Sequence, residues 1–182
     1  MNRPILLSAL LLAALPAAAN ETASAAPSRE HFAPPGMEAS YHVMHYTPVV
    51  KAGDLVIVSG IPAGHGDTYE DKVRNMFRAL ERHLATSGAT LGDVVELTSF
   101  HVGATDAEAF NAEFARFAPI HEEFFPDHYP AWTAVGTTAL LQPGAPVELR
   151  AMAVIGSGKS PRAAIPPPAP RRAPPAQAQA ND

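Results

Sequence analysis

The spacing of apolar and polar residues predicts a single α+β domain between residues 30 and 156. A β-rich segment from Tyr41 to Tyr46 and a second over residues 54–59 are joined by a turn at Ala52-Gly53. The short connection predicts that they form an antiparallel strand pair.

Two amphipathic helices are predicted next. Thr68-x-x-Asp71 resembles a capping box before a helix that ends near Gly88, and Thr105-x-x-Glu108 precedes a second helix that we expect to stop at Pro119. Apolar residues recur on one face of each helix, at Val73, Met76, Phe77, Leu80 and Leu84 in the first and at Phe110, Phe114 and Phe117 in the second.

Three further segments complete the domain. Residues 94–102 are β-rich, and residues 134–141 and 147–155 are predicted to form a final strand pair around Gln142-Pro143-Gly144. The order β-β-α-β-α-β-β predicts an α+β sandwich, one sheet with two helices on one face. Because apolar residues occur on both sides of this sheet, we expect the second face to be buried in an oligomer.

Both ends of the chain differ from this core. Residues 1–25 have the pattern of a signal peptide, with cleavage expected after Ala19 or Ala25. Its apolar run of about a dozen residues is shorter than the roughly 18–20 that span a bilayer, so we expect a periplasmic or secreted protein without stable membrane insertion. Residues 157–182 are rich in proline and alanine and predict a disordered basic tail, a solubilising spacer or a contact to a surface or wall polymer.

Composition excludes several function classes. The 182 residues contain no cysteine, which rules out disulfide scaffolds, cysteine-ligated metals and thiol nucleophiles. The net charge is −5, and residues 30–156 carry seven Lys/Arg against sixteen Asp/Glu, or about −9. An acidic core argues against nucleic-acid binding, which depends on neutralising phosphates. No dinucleotide fingerprint or phosphate-binding glycine loop occurs.

Four segments together resemble the Rid (YjgF) family of reactive-intermediate, or 2-iminobutanoate, deaminases. They are Lys51 to Pro62, Gly88 to Phe100, Pro130 to Gly136 and Val147 to Val154. The resemblance implies a chorismate-mutase-like fold, a homotrimer with clefts between subunits, and hydrolysis of small enamines and imines without a cofactor.

The same resemblance implies the residues of the cleft. Glu148 matches the family glutamate that orients water, Tyr46 matches a cleft tyrosine, and Ser59 and Gly60 fall in the segment at the substrate end. Phe100 and Thr133 are also candidates for substrate contact. From the residues alone, Glu148 is equally compatible with a solvated strand carboxylate that shares a face with Arg150 and Met152. Tyr46 is likewise compatible with an interfacial aromatic residue whose hydroxyl is wet.

One departure concerns the substrate anchor. Deaminating relatives have Pro-x-Arg-Ser, whereas this chain has Pro130-Ala-Trp132-Thr133. Loss of a charge-assisted contact of about 1.5–3 kcal/mol would weaken binding of a 2-imino acid roughly 10- to 150-fold. Trp132 offers a flat apolar or cation-accepting surface instead, and Arg150 is either a displaced anchor or an ion-pair residue.

Histidine spacing does not predict a metal site. His42 and His45 would lie on opposite faces of a strand, and the His121-Glu122 pair lacks the second histidine of a zinc helix. Two functions of different class remain: a Rid-type hydrolase with a non-standard substrate, or a trimeric small-ligand binding protein that has lost turnover. A ribonuclease, an activity attached to the family by name, is the reading that the acidic core favours least.

Overall fold

The structure, a computed structural model, describes residues 28–169. Six strands form one mixed sheet in the order β1-β2-β3-β6-β4-β5, in which only β4 and β5 are parallel. The strands are β1 Arg29–Phe32, β2 Val49–Ala52, β3 Leu55–Pro62, β4 Val94–Val102, β5 Ala131–Thr137 and β6 Val147–Val154.

Two long helices, α2 Tyr69–Thr86 and α3 Ala107–Phe124, pack on one face of this sheet. The Thr68 side chain caps α2 by accepting a hydrogen bond from the Asp71 backbone N–H, as the capping-box pattern predicted. A shorter helix, α1 Glu38–His42, precedes β2. The predicted fold class, one sheet with two helices on one face, is therefore confirmed, with an extra N-terminal strand and short helix.

Alternation along β6 separates the two faces of the sheet. Val147, Leu149, Ala151 and Ala153 are buried under the helices. Glu148, Arg150 and Met152 alternate with them, as predicted, and lie on the opposite face with partial exposure.

The predicted pairing of the last two strands is wrong. Strand β6 lies between β3 and β4, whereas β5 begins three residues earlier than expected and pairs in parallel with β4 at the edge. Strand order depends on contacts between residues distant in sequence, which the turn around Gln142-Pro143-Gly144 cannot report.

The predicted strand over Tyr41 to Tyr46 is also wrong. These residues form the end of α1 and a loop, and β2, after Pro48, is the strand that pairs with β3. Val43 and Met44 are 70% and 55% exposed, so the apolar residues of this segment do not belong to the sheet core.

Helix α3 differs from its prediction at both ends. Its N-cap is Asp106, whose carboxylate accepts a hydrogen bond from the Ala109 backbone N–H, and it continues past Pro119 to Phe124. Burial of Ile120 and Phe125 in the core favours the extra turn despite the missing proline donor.

The ordered domain extends slightly beyond residue 156. Ser157–Lys159 form a 3-10 turn that docks on the turn Leu91–Asp93, and residues 160–169 are exposed without helix or strand. The folded part of the chain therefore continues to Lys159, three residues past the predicted boundary at residue 156. The predicted signal peptide lies outside the described residues, and no helix within residues 28–169 has the length and apolar character needed to cross a bilayer.

Candidate functional site

A cavity of about 950 Å³ lies against one end of the pairing between β3 and β6. It brings together four residues that the sequence resemblance nominated, Tyr46, Ser59, Gly60 and Glu148. They come from three separate parts of the chain, the loop before β2, the end of β3 and the start of β6.

Glu148 is the acidic residue of this cavity. Burial alone raises the pKa of its carboxyl above the usual range, and no hydrogen bond or ion pair from the described residues offsets that burial. An unpaired, half-buried carboxylate has open acceptor positions, so Glu148 can hold a water molecule or accept its proton.

A β-bulge gives the Glu148 carboxylate its space. Between Val58 and Ile61 the register with β6 shifts by one residue, which places Ser59 and Gly60 in the irregular segment. A Cβ added at Gly60 would overlap the Glu148 carboxylate and lie 2.8 Å from its Cδ. Glycine at this position is therefore required for the observed placement of the acid.

Tyr46 and Ser59 are each positioned by one hydrogen bond, the first to helix α1 and the second to the loop before β2. The Ser40 hydroxyl donates to the Tyr46 phenol oxygen at 3.2 Å, which leaves the phenol proton available to the cavity. The Ser59 hydroxyl donates to the Thr47 carbonyl oxygen at 2.7 Å and can only accept from a ligand. His45, with φ of +58°, turns the chain just before Tyr46.

Helix α2 supplies a wall of the cavity that the sequence analysis did not identify. Its contributing residues are spaced as one helical stripe, namely Asn75, Met76, Ala79, Arg82 and His83. The polar residues of this stripe flank the buried apolar face of α2. That position is the sequence feature from which they could have been identified.

The other predicted site residues do not line this cavity. Phe100 lies beside Glu148 in the sheet ladder and Thr133 is exposed on edge strand β5. Arg150 pairs with Glu96, with 3.4 Å between Nη1 and Oε2, rather than with Glu148. On the uncovered face of the sheet these residues neighbour the cavity without entering it.

Trp132 lies on the opposite, helix-covered face. Its ring stacks on His121 with centroids 4.4 Å apart, and its indole N–H donates to the Ser99 hydroxyl at 2.9 Å. Within the protomer, the residue that replaces the family arginine is a packing residue under α3.

Ser99 belongs to a second polar cluster beneath α3. Its hydroxyl lies 2.8 Å from His101 Nε2, and His101 Nδ1 lies 2.7 Å from Glu113 Oε2 in a poorly aligned electrostatic contact. Tyr69 donates its hydroxyl to Glu113. The order hydroxyl, imidazole and carboxylate resembles a nucleophile relay, but Ser99 and His101 have no exposed surface. We therefore assign this cluster a structural role.

Metal ligation has no structural basis in the part of the chain described. Residues 28–169 contain no group of three or more histidine, aspartate or glutamate side chains arranged around a common point.

Comparisons with known proteins agree on the fold and the family. The sequence model of the family described as Endoribonuclease L-PSP matches residues 37–155. The RutC family protein YjgH of Escherichia coli is 34% identical over 113 residues, which cover 59% of this chain and 82% of YjgH.

Two solved structures extend this agreement. One is Rv2704 of Mycobacterium tuberculosis, described as a member of the YjgF/YER057c/UK114 family. It superposes with a TM-score of 0.60 at 32% identity, and the match covers 70% of this chain and 100% of Rv2704. The structure of protein YjgH superposes with a TM-score of 0.58 at 32% identity, over 70% of this chain and 96% of that one.

Proposed function

The chain belongs to the Endoribonuclease L-PSP family, the group that includes the YjgF (Rid) proteins, and from that premise we propose that it hydrolyses a small imine or enamine in the Glu148 cavity. The reaction needs no cofactor, because water is the nucleophile and a carboxylate is sufficient to move its proton.

The observation that carries this proposal is the unpaired Glu148 carboxylate at the wall of a roomy cavity. Water bound to Glu148 attacks the carbon of the C=N bond while its proton passes to the carboxylate. Glu148 returns that proton to the nitrogen, which gives a neutral tetrahedral carbinolamine. The carboxylate then takes the hydroxyl proton of the carbinolamine and passes it to the nitrogen, and the C–N bond breaks to leave a carbonyl compound and an amine or ammonia. An enamine first becomes the imine by gaining a proton on carbon and losing one from nitrogen.

Tyr46 and Ser59 support this chemistry by position. The Tyr46 phenol can donate to the nitrogen or to the oxygen that forms on the attacked carbon, and Ser59 can accept from the nucleophilic water. Neither residue replaces Glu148 as the proton acceptor.

We further propose that the working form is a homotrimer in which the uncovered sheet face is the interface. Phe100 pairs with Glu148 on that face, and Arg150 and Thr133 lie on the same face farther along the sheet, so a neighbouring subunit would complete the outer wall of the cavity. Light scattering that returned a monomer would contradict this assembly.

The test is hydrolysis of 2-iminopropanoate and 2-iminobutanoate, generated in situ, by the full chain. We expect Glu148→Gln to lose at least about 100-fold in rate without loss of folding, because the carboxylate moves the proton. The matched control is Glu122→Gln, an exposed acid outside the cavity, which should leave the rate unchanged. A Glu148→Gln variant as fast as the parent would contradict the mechanism.

A second candidate is a trimeric small-ligand binding protein without turnover. The position of Trp132, in the place of the family's anchoring arginine and packed under α3, favours it. Binding of a small ligand by the parent, with no hydrolysis of either imine, would support this candidate over the enzyme.

A further inference from the structure

A second, smaller cavity of about 230 Å³ lies where strand β1 meets helix α1. Among the described residues, it shares no lining residue with the Glu148 cavity. Five of its lining residues carry an aromatic ring or a carboxylate, namely His31, Phe32, Glu38, Tyr41 and His42. The function proposed above uses none of them.

Three of the rings stand at steep angles to one another. The ring centroids of His31 and Tyr41 lie 5.8 Å apart, with the ring planes at 68°. Those of Tyr41 and His42 lie 5.3 Å apart, with the planes at 84°. Rings arranged in this way enclose a corner and do not stack into one flat surface, so more than one ring can contact a single bound group.

The rings are positioned by two elements of the fold. Tyr41 and His42 follow Glu38 by three and four residues in α1, so the three side chains are neighbours on one face of that helix. On β1, His31 Nδ1 lies 2.8 Å from the hydroxyl oxygen of Thr47, which also lines the cavity. These contacts form the walls of the cavity before any ligand binds.

Glu38 gives this cavity its charge. The lining residues include no lysine or arginine, and no ion pair within residues 28–169 involves Glu38. The Gly36 backbone N–H donates to the Glu38 carboxylate at 3.2 Å. Backbone hydrogen bonds, from the N–H of Glu38 itself and then from that of Gly36, lower the pKa of this carboxyl. Near neutral pH, Glu38 is therefore an anion without a paired cation.

Aromatic faces combined with a carboxylate are the groups that recognise organic cations. A primary ammonium ion needs three acceptors to replace its water, but the Thr47 hydroxyl and carbonyl are already bonded to His31 and Ser59. A quaternary ammonium ion has no N–H to satisfy. The volume is also below the roughly 300–1,000 Å³ of sites for drug-sized ligands, which favours a small headgroup.

A metal ion fits this cavity less well than an organic cation does. Within residues 28–169, no three histidine, aspartate or glutamate side chains surround a common point, so His31, His42 and Glu38 do not form a ligand set.

We propose that this cavity binds a quaternary ammonium group, which the rings of His31, Tyr41 and His42 surround and the Glu38 carboxylate neutralises. A free choline-type solute and the headgroup of a zwitterionic lipid both present this trimethylammonium chemistry. The site is separate from the Glu148 cavity, so the proposal does not rest on imine hydrolysis.

The experiment measures binding of three probes to the full chain by NMR titration. The probes are choline, its uncharged carbon isostere 3,3-dimethyl-1-butanol, and the primary amine ethanolamine. We expect choline to bind at least about fivefold more tightly than either of the others. The isostere has no charge for the rings and the carboxylate to attract, and ethanolamine keeps a strongly hydrated ammonium group.

Variants identify the groups that bind choline. Tyr41→Leu, at a half-exposed position, removes the central ring and should weaken choline about three- to tenfold, whereas Tyr41→Phe should retain the affinity. Glu38→Gln should weaken choline and not the isostere. The matched controls are Tyr129→Leu, at an exposed tyrosine outside the cavity, and Glu148→Gln in the other cavity, and both should leave choline binding unchanged.

Vesicles distinguish the two sources of the ammonium group. Binding to phosphatidylcholine vesicles and not to phosphatidylglycerol vesicles, lost in Tyr41→Leu, would assign the site to a lipid headgroup. Binding of choline without binding of either vesicle would assign it to a free solute. Choline that binds no more tightly than the isostere, or equally well to the Tyr41→Leu variant, would overturn the proposal.

Discussion

Glu113 and Glu148 are both partly buried carboxylates on opposite sides of the same sheet, but their surroundings differ. Beneath α3, Glu113 Oε2 lies 2.7 Å from His101 Nδ1, and the Glu113 carboxylate accepts a hydrogen bond from the Tyr69 hydroxyl. In the cavity, the Glu148 carboxylate has no hydrogen-bond or ion-pair partner among the described residues, and burial raises its pKa.

The cluster around Glu113 continues through the interior. His101 meets Ser99, and Ser99 accepts the indole N–H of Trp132. The buried polar groups of this cluster therefore meet one another, which is how a domain accommodates polar atoms at low cost.

The position of the Glu148 carboxylate depends instead on the space around it. The absent side chain of Gly60 makes room for the carboxylate, and no cation of the described residues neutralises it. The contrast teaches that paired carboxylates here stabilise the fold, whereas the unpaired one is available for chemistry.

The largest expected effect is on stability at Glu113. Glu113→Ala should lower the free energy of unfolding by about 2 kcal/mol, because His101 and Tyr69 lose a shared buried partner. Urea denaturation measures it, and imine hydrolysis per folded molecule should be unchanged.

Glu148→Gln makes the corresponding change at the unpaired carboxylate. The raised pKa of Glu148 determines how the effect of this variant on stability changes with pH. Because burial raises the folded pKa of Glu148, its ionisation costs stability as pH rises from the ordinary glutamate range through that raised pKa. The variant should therefore match the parent at acid pH and become more stable than the parent above it. A Glu148→Gln variant that is less stable at every pH would show that Glu148 has a structural partner after all.

The third prediction tests the space that Gly60 provides. Gly60→Ala should displace the Glu148 carboxylate and reduce hydrolysis about tenfold or more, since a misplaced acid no longer aligns the water. The side chain that must move is flexible, so the melting temperature should change little.

Gly136→Ala is the control for Gly60→Ala. A Cβ there would make ordinary contact with Phe110 of α3 at 3.6 Å, on the helix-covered side of the sheet and not on the side of Glu148. Equal loss of activity in both variants would mean that glycine substitution, and not displacement of the acid, explains the effect.

Local patterns predicted much of this fold. The bounds of β4, the N-cap of α2 and the alternation along β6 follow from short-range periodicity, and the structure confirms each. The place of β6 between β3 and β4 was not predictable, because it depends on contacts made across the whole chain.

The candidate site was likewise predicted only in part. Family resemblance nominated Tyr46 and Glu148, which the structure brings to one cavity, although Tyr46 lies in a loop and not in the predicted strand. Arg82 and His83 were missed because a position beside the apolar stripe of α2 marks the edge of that stripe and does not by itself indicate a cavity. Trp132 was expected in the cleft, but a lone aromatic residue on an edge strand does not reveal which face it packs on.

The smallest expected effect concerns Asp93, a buried and partnered carboxylate of the turn on which Ser157–Lys159 dock. Burial opposes its ionisation, but hydrogen bonds from the Gly158 and Thr90 backbone N–H groups at 3.0 and 2.9 Å outweigh it and lower the pKa of Asp93. Removing residues 157–182 deletes the Gly158 donor and should cost about 1 kcal/mol near neutral pH, whereas removing residues 161–182 should cost nothing.

The pH dependence of that difference identifies its origin. A lowered folded pKa contributes stability above the unfolded pKa of aspartate and loses it as pH falls through the folded value. The two truncated proteins should therefore differ in melting temperature near pH 7 and converge on acidification. A difference that persists unchanged in acid would assign the effect to packing of Gly158 on Gly92 and not to the Asp93 carboxylate. Equal melting temperatures at neutral pH would show instead that the docked turn adds no stability, and that the hydrogen bond from Gly158 to Asp93 contributes much less than the contacts of Glu113 beneath α3.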